Sequence, residues 1–139
     1  VAPDHVVLEI GTGSGYQAAI LSRLAARVHS IEIVPDLARR AGETLAAQGY
    51  ASVEVHAGDG FGGRPEAAPF DRILVTAGTD RIPPALLGQL RPGGIMVLPL
   101  GRDADSLQLT VVRKSRSGRI SRRRVTPVRF VPLAGAPLS

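Results

Sequence analysis

Apolar and polar positions along this chain follow two rhythms, and together they predict an order of strands and helices. The run Val6-Val7-Leu8-Glu9-Ile10 is short, β-branched and almost continuously apolar, as a parallel strand buried on both faces requires. It stops at Gly11-Thr12-Gly13-Ser14-Gly15. Beyond the glycines, Tyr16, Ala19, Ile20 and Leu24 recur at helical spacing with Arg23 and Arg27 between, which predicts a helix that packs this stripe on the sheet. Val28 to Ile33 reads as a second strand, and Pro35-Asp36 supplies the fixed φ and the acid that suit a helix start. Leu37, Ala41 and Leu45 give that helix its buried stripe, and Gln48-Gly49 stops it. Val53 and Val55 then alternate with Glu54 and His56 in a third strand that ends at Gly58-Asp59-Gly60.

A polar link with Pro65 and Pro69 leads to a fourth strand, Phe70 to Thr76. Pro83-Pro84 with Leu86, Leu87 and Leu90 predicts a short helix, stopped by Arg91-Pro92-Gly93-Gly94 before a fifth strand from Ile95 to Leu100. Strands that alternate with helices or helix-length links predict an α/β fold: a doubly wound, mostly parallel, Rossmann-like sheet with right-handed crossovers. The tail differs. Leu107 to Val112 and Val125 to Val131 are strand-like around Ser115-Arg116-Ser117-Gly118, so a C-terminal antiparallel hairpin is expected to close the sheet. No internal repeat or second domain is legible, and residues 1–139 are expected to form one domain.

Composition narrows the chemistry. The 139 residues are 44% hydrophobic and 21% charged, as in an ordinary globular protein. Cysteine is absent, which removes disulfides, thiolate metal sites and cysteine nucleophiles together. No apolar run reaches the ~18 residues of a membrane span, and no secretory series opens the chain, so the expected location is the cytoplasm, without a membrane partner. The net charge of +5 is uneven, since no acid follows Asp105 whereas Arg113, Lys114, Arg116, Arg119, Arg122, Arg123, Arg124 and Arg129 do. A solvated hairpin accounts for these arginines. With no aromatic residues interleaved for stacking, no nucleic-acid partner is expected. His5, His29 and His56 are scattered and lack carboxylates at motif spacing, so they read as structural and no metal site is expected.

The informative residues fall at predicted strand ends, where open parallel sheets bind ligands. Gly11, Gly13 and Gly15 turn the chain from strand to helix and allow close approach of a ligand to the backbone. Glu32, at the end of the second strand, can accept two hydrogen bonds from a ribose diol. Asp59, after the third, can accept from the exocyclic amine of a base. These positions outline a nucleoside site. The spacing is G-x-G-x-G, with Tyr16 where a dinucleotide fingerprint has its third glycine, which disfavours a pyrophosphate; the Walker pattern fails as well.

Val7-Leu8-Glu9-Ile10-Gly11-Thr12-Gly13-Ser14-Gly15-Tyr16-Gln17 resembles the first motif of class I S-adenosylmethionine-dependent methyltransferases, in the form found in protein-L-isoaspartate (D-aspartate) O-methyltransferases. Ser30-Ile31-Glu32, Gly58-Asp59-Gly60, Ala68 to Ile73, Val75-Thr76-Ala77, Ile82-Pro83, Gln89-Leu90, Pro92-Gly93-Gly94 and Val128 to Leu133 match that family in order and spacing. The resemblance implies methyl transfer from S-adenosyl-L-methionine to the carboxylate of L-isoaspartyl or D-aspartyl residues in damaged proteins, as repair. It implies that Gly11, Gly13 and Gly15 flank the methionine part, and that Glu9, Thr12 and Ser14 of the same motif also bind the cofactor. Glu32 would hold the ribose, and Asp59 with Gly60 the adenine. Thr76 and Ala77 would border the reacting centre, and Phe130, Val131, Pro132 and Leu133 would hold the substrate peptide.

No catalytic residue is assigned. In the family the acceptor carboxylate is held by a Ser or Thr upstream of the first motif, and an upstream portion is expected to precede Val1. A monomer whose partners are isoaspartyl proteins or peptides is the resulting expectation. Two alternatives share these motifs: an aspartyl O-methyltransferase acting on a dedicated peptide, and a catalytically weak cofactor-binding fragment.

Overall fold

The structure is a computed structural model and describes residues 1–13 and 15–128. Seven strands form one sheet in the order β3-β2-β1-β4-β5-β6-β7. They are β1 (Val6–Ile10), β2 (Arg27–Glu32), β3 (Val53–Ala57), β4 (Phe70–Val75), β5 (Leu90–Leu100), β6 (Gln108–Lys114) and β7 (Ile120–Pro127). The helices are α1 (Tyr16–Ser22), α2 (Pro35–Ala47) and α3 (Pro84–Gln89), and 3-10 turns lie at Gly60–Gly62 and Pro65–Ala67. The first five strands run parallel, and β6 and β7 are antiparallel additions, as the mostly parallel sheet with a C-terminal hairpin predicts. The order reverses beside β1, whose neighbours are β2 and β4.

Paired residues of parallel strands share a face. Val7 of β1 and Val28 of β2 are paired and pack with Ala18, Leu21 and Ala25 from the α1 side and with Leu45 of α2. The other face buries Leu8, Ile10, Ile31, Phe70, Ile73 and Met96 beneath Leu86 of α3. Each fully buried side chain of this size contributes about 1.5–3 kcal/mol.

Local packing overturns several expected details. The stripe of α1 that meets the sheet is Ala18, Leu21 and then Ala25, while Tyr16 is 74% exposed and Ile20 and Leu24 also face outward. The helix starts close to α2, since a Cβ added at Gly15 would stand 3.2 Å from Leu45 Cδ1. On α2, Ala38 is buried and Leu37 exposed, although Ala41 and Leu45 face the core as their spacing predicts. Strand β5 begins at Leu90, not Ile95. Leu90 pairs with Phe70 and Ile95 with Arg72, and the residues between form an irregularity within the strand. Lys114 Nζ holds this corner by donating to the carbonyls of Leu87 and Leu90 at 2.9 and 3.0 Å. The last strand starts at Ile120 rather than Val125, so Arg122, Arg123 and Arg124 pair with β6. The part of that expected strand from residue 129 on lies outside the described residues.

Candidate cofactor site

After Ile10 the chain leaves β1 in left-handed steps. Gly11, Gly13 and Gly15 have φ of 98°, 55° and 88°, values that a residue with a Cβ rarely adopts. At Gly11 a Cβ would also run into Thr76 Oγ1, whereas at Gly13 it would meet nothing within 4 Å. The turn is thus tight against β4 at its start and open at its middle. Gly13 N–H donates to Glu32 Oε1 at 3.1 Å, which ties the glycine turn to the end of β2.

Glu32 is 8% exposed, and its second oxygen accepts Val34 N–H at 3.2 Å. Two backbone donors therefore hold this carboxylate in place, with lone pairs left for further donors. Asp59 is exposed just after β3 and accepts Phe61 N–H through Oδ1 at 2.9 Å, capping the 3-10 turn. Gly60 behind it is buried where a Cβ would collide with Ile10 Cγ2. At the end of β4, Thr76 Oγ1 donates to Ile10 O at 2.8 Å, so its hydroxyl fastens β4 to the glycine turn. Ala77 follows it, buried. The structure thus gathers Gly11, Thr12, Gly13, Gly15, Glu32, Asp59, Gly60, Thr76 and Ala77 at the carboxyl ends of adjacent parallel strands.

Glu9 lies beneath this rim, fully buried. Ser30 Oγ donates to its Oε1 at 2.6 Å and stands 2.6 Å from Thr12 Oγ1, so a hydroxyl pair links the acid to the glycine turn. Burial pushes the Glu9 carboxyl up to about 7, against the opposing effect of the Ser30 hydrogen bond. Its Oε2 is buried without a hydrogen-bond partner. Ser30, which the strand-end pattern does not single out, stands two before Glu32 and so shares its face of β2.

These features fit a nucleoside ligand with a cationic amino-acid end. The Glu9 carboxyl, once ionised, offers a buried acceptor for a positive group, the open Gly13 leaves room for close approach, and Glu32 and Asp59 offer acceptors along the rim. Ser14, Phe130, Val131, Pro132 and Leu133 lie outside the described residues. An open groove of about 680 Å³ runs between α1 and α2 from Gly15 of the glycine turn, lined further by Tyr16, Ile20, Leu24 and Tyr50.

The reading of the histidines as scattered is corrected by the fold. His29 and His56 lie on adjacent strands with Nδ1 and Nε2 3.3 Å apart, and Glu54 stands beside them. The spacing of 27 residues hid a contact that parallel strand pairing creates.

Comparison with known proteins supports the same identification. The sequence model of the family described as protein-L-isoaspartate(D-aspartate) O-methyltransferase (PCMT) matches residues 1–137. A Polaromonas protein named protein-L-isoaspartate O-methyltransferase 2 is 50% identical over 135 residues, covering 97% of this chain and 64% of that protein. One from Nitrosospira multiformis, named protein-L-isoaspartate O-methyltransferase 1, is 52% identical over 132 residues, covering 95% and 56%. A solved protein-L-isoaspartate O-methyltransferase superposes with a TM-score of 0.88 at 30% identity, over 99% of this chain and 44% of that one. A Plasmodium falciparum protein described as a putative protein-L-isoaspartate O-methyltransferase, solved in complex with S-adenosyl-L-homocysteine, has a TM-score of 0.77 at 21% identity, over 95% and 66%, and speaks to the fold alone. This chain spans less than two thirds of the length of the two named bacterial relatives. Among the described residues no helix is long and apolar enough to cross a membrane. With its glycine turn, its strand-end acids and a match running almost from end to end, the chain belongs to the protein-L-isoaspartate (D-aspartate) O-methyltransferase family.

Proposed function

We propose that this chain binds S-adenosyl-L-methionine and forms the cofactor-binding core of an enzyme that methylates the carboxylate of L-isoaspartyl or D-aspartyl residues in proteins. The observation that carries the reading is the 3.1 Å hydrogen bond from Gly13 N–H to Glu32, which fixes the glycine turn and the ribose acceptor as one unit. The glycine turn receives the methionine portion, with the orphaned Glu9 oxygen beneath it as the acceptor for positive charge. Glu32 takes the ribose hydroxyls, and Asp59, braced by Phe61 N–H, takes the adenine amine.

When bound, the cofactor supplies a methyl group on a sulfonium, with a neutral thioether as leaving group. The acceptor carboxylate is already ionised at neutral pH, so the residues of this chain are asked for position and water exclusion rather than proton transfer. Thr76 serves position by locking β4 to the turn, and Ala77 shapes the border of the reacting centre.

Calorimetric titration with S-adenosyl-L-methionine and with NAD tests the cofactor, and equal affinity for both would overturn the reading of the glycine spacing. Transfer of a radiolabelled methyl group to an isoaspartyl peptide, with its aspartyl isomer as control, tests the acceptor. Equal labelling of both isomers would favour an enzyme for a dedicated aspartyl peptide instead.

A further inference from the structure

We infer that His29, Glu54 and His56 form a binding site for a divalent transition-metal ion of the zinc type, on the sheet face opposite the Glu9–Ser30–Glu32 row. Strand register creates the cluster. His29 pairs with Glu54 and Ile31 with His56, and alternation along β3 turns Glu54 and His56 to the same side. Their donor atoms lie within 4.8 Å of one another.

Two of the three donor separations suit a small ion, and the third, between His56 and Glu54, lies within 4.8 Å and closes as the exposed Glu54 side chain turns. His29 Nδ1 stands 3.3 Å from His56 Nε2 and 3.5 Å from Glu54 Oε2. A tetrahedral ion with bonds of about 2.0–2.2 Å to nitrogen and oxygen holds its donors about 3.3–3.5 Å apart. The ring centroids are 5.5 Å apart with planes 13° from parallel, so the rings meet nearly edge to edge along the nitrogen–nitrogen line. The ion sits off that line toward Glu54, and each ring turns by about 35° to aim its nitrogen at it. Whichever imidazole carries the shared hydrogen moves it to its outer nitrogen, so no proton is lost to solvent.

Charge and access agree. Burial lowers the pKa of both histidines, so both are neutral ligands at pH 7 and need not be deprotonated; nearby Arg64 acts in the same sense but also opposes a cation, and the Glu54 carboxylate offsets it. His29 is buried, His56 half-buried and Glu54 exposed, which leaves a solvent side for entry and for a water as fourth ligand. Glu54 Oε2 also accepts from Arg27 Nη1 at 3.0 Å, an exposed pair that opens at little cost. Two imidazoles and a carboxylate select zinc, copper or nickel over magnesium or calcium. The bound ion would staple β3, the outer strand of the sheet, to β2.

The test uses the untagged chain, titrated with Zn²⁺ by calorimetry and with Co²⁺ by visible absorption. One equivalent is expected to bind, with Co²⁺ bands of tetrahedral intensity. Removal of a ligand should cost at least the about 10–100-fold that removal of a ligand's own partner costs, so Glu54→Gln and His56→Gln should each weaken binding by that much. Glu54→Gln changes an exposed side chain and decides the matter if His56→Gln loses its circular dichroism spectrum. His5→Gln is the control for the amino terminus, where Ala2 N–H meets His5 Nδ1 at 3.0 Å. No saturable binding, undiminished binding by Glu54→Gln, or binding abolished by His5→Gln would each overturn the site.

Discussion

Ser30 reaches across from β2 to give its hydroxyl proton to Glu9 on β1, 2.6 Å away, in a layer closed to solvent. This bond satisfies one oxygen of a carboxyl group whose other oxygen has no partner. An unfolded chain releases the Glu9 proton near pH 4.5, the folded chain only near about 7. Between those values the native state binds the additional proton, so stability falls as pH rises and levels off above about 7. The integrated effect is on the order of 3 kcal/mol. Glu9→Gln retains an acceptor for Ser30 and should remove this slope, making the variant the more stable form at pH 8. The lowered pKa values of His29 and His56 act in the opposite sense, with stability lost as pH falls below their ordinary 6.5. Urea unfolding of both proteins at pH 5 and pH 8 isolates the Glu9 contribution as their difference, and parallel profiles would contradict it.

Glu32→Ala should weaken S-adenosyl-L-methionine binding by about 1.5–3 kcal/mol, because charged hydrogen bonds to the ribose and the anchor of Gly13 disappear together. Glu32→Gln keeps one acceptor for Gly13 N–H and should lose less. Calorimetry on the two variants separates ribose binding from support of the turn. Equal affinity in both and in the parent chain would remove Glu32 from the site.

Asp59→Ala should cost about 1–3 kcal/mol of cofactor affinity, since it removes both the proposed acceptor for the adenine amine and the cap on Phe61 N–H. Guanosine-for-adenosine replacement in the cofactor gives an independent measure. Asp59 should discriminate between the two bases in the parent chain and fail to do so in the variant.

Gln89 is buried on α3 and clamps the loop that follows Asp59. Its Oε1 accepts Arg64 N–H at 2.8 Å and its Nε2 donates to Gly62 O at 2.9 Å. Gln89→Leu leaves both backbone groups unpaired and should lower stability by about 1–3 kcal/mol. Chemical denaturation measures the loss, and a change within a few tenths of a kcal/mol would show that solvent replaces the clamp.

The succession of the first four strands and of the helices along the chain was legible because these strands are short apolar runs and most of their boundaries carry a glycine or proline: Gly11, Pro35, Gly49, Pro84. The acids at strand ends were legible for the same reason, since a strand's last residue is placed as soon as the strand is. Facing was not. Tyr16, Ile20 and Leu24 and the buried set Ala18, Leu21 and Ala25 both satisfy helical spacing, so spacing alone does not select the face that meets the sheet. Contacts between strands were hidden as well. Ser30 under the glycine turn and His29 beside His56 depend on register, which periodicity along one strand does not contain.

In β7 every residue is exposed, and Arg122, Arg123 and Arg124 stand in sequence along the strand. It is the terminal strand of the sheet order, so one of its edges has no partner strand among the described residues. An edge of this kind is a template for adding another chain, and adjacent like charges are a known barrier to it. Two copies meeting there would oppose arginine to arginine. The basic stretch that colours the composition of the C-terminal quarter thus has a colloidal consequence: it makes fibril-like growth from this edge self-repelling, most strongly at low ionic strength.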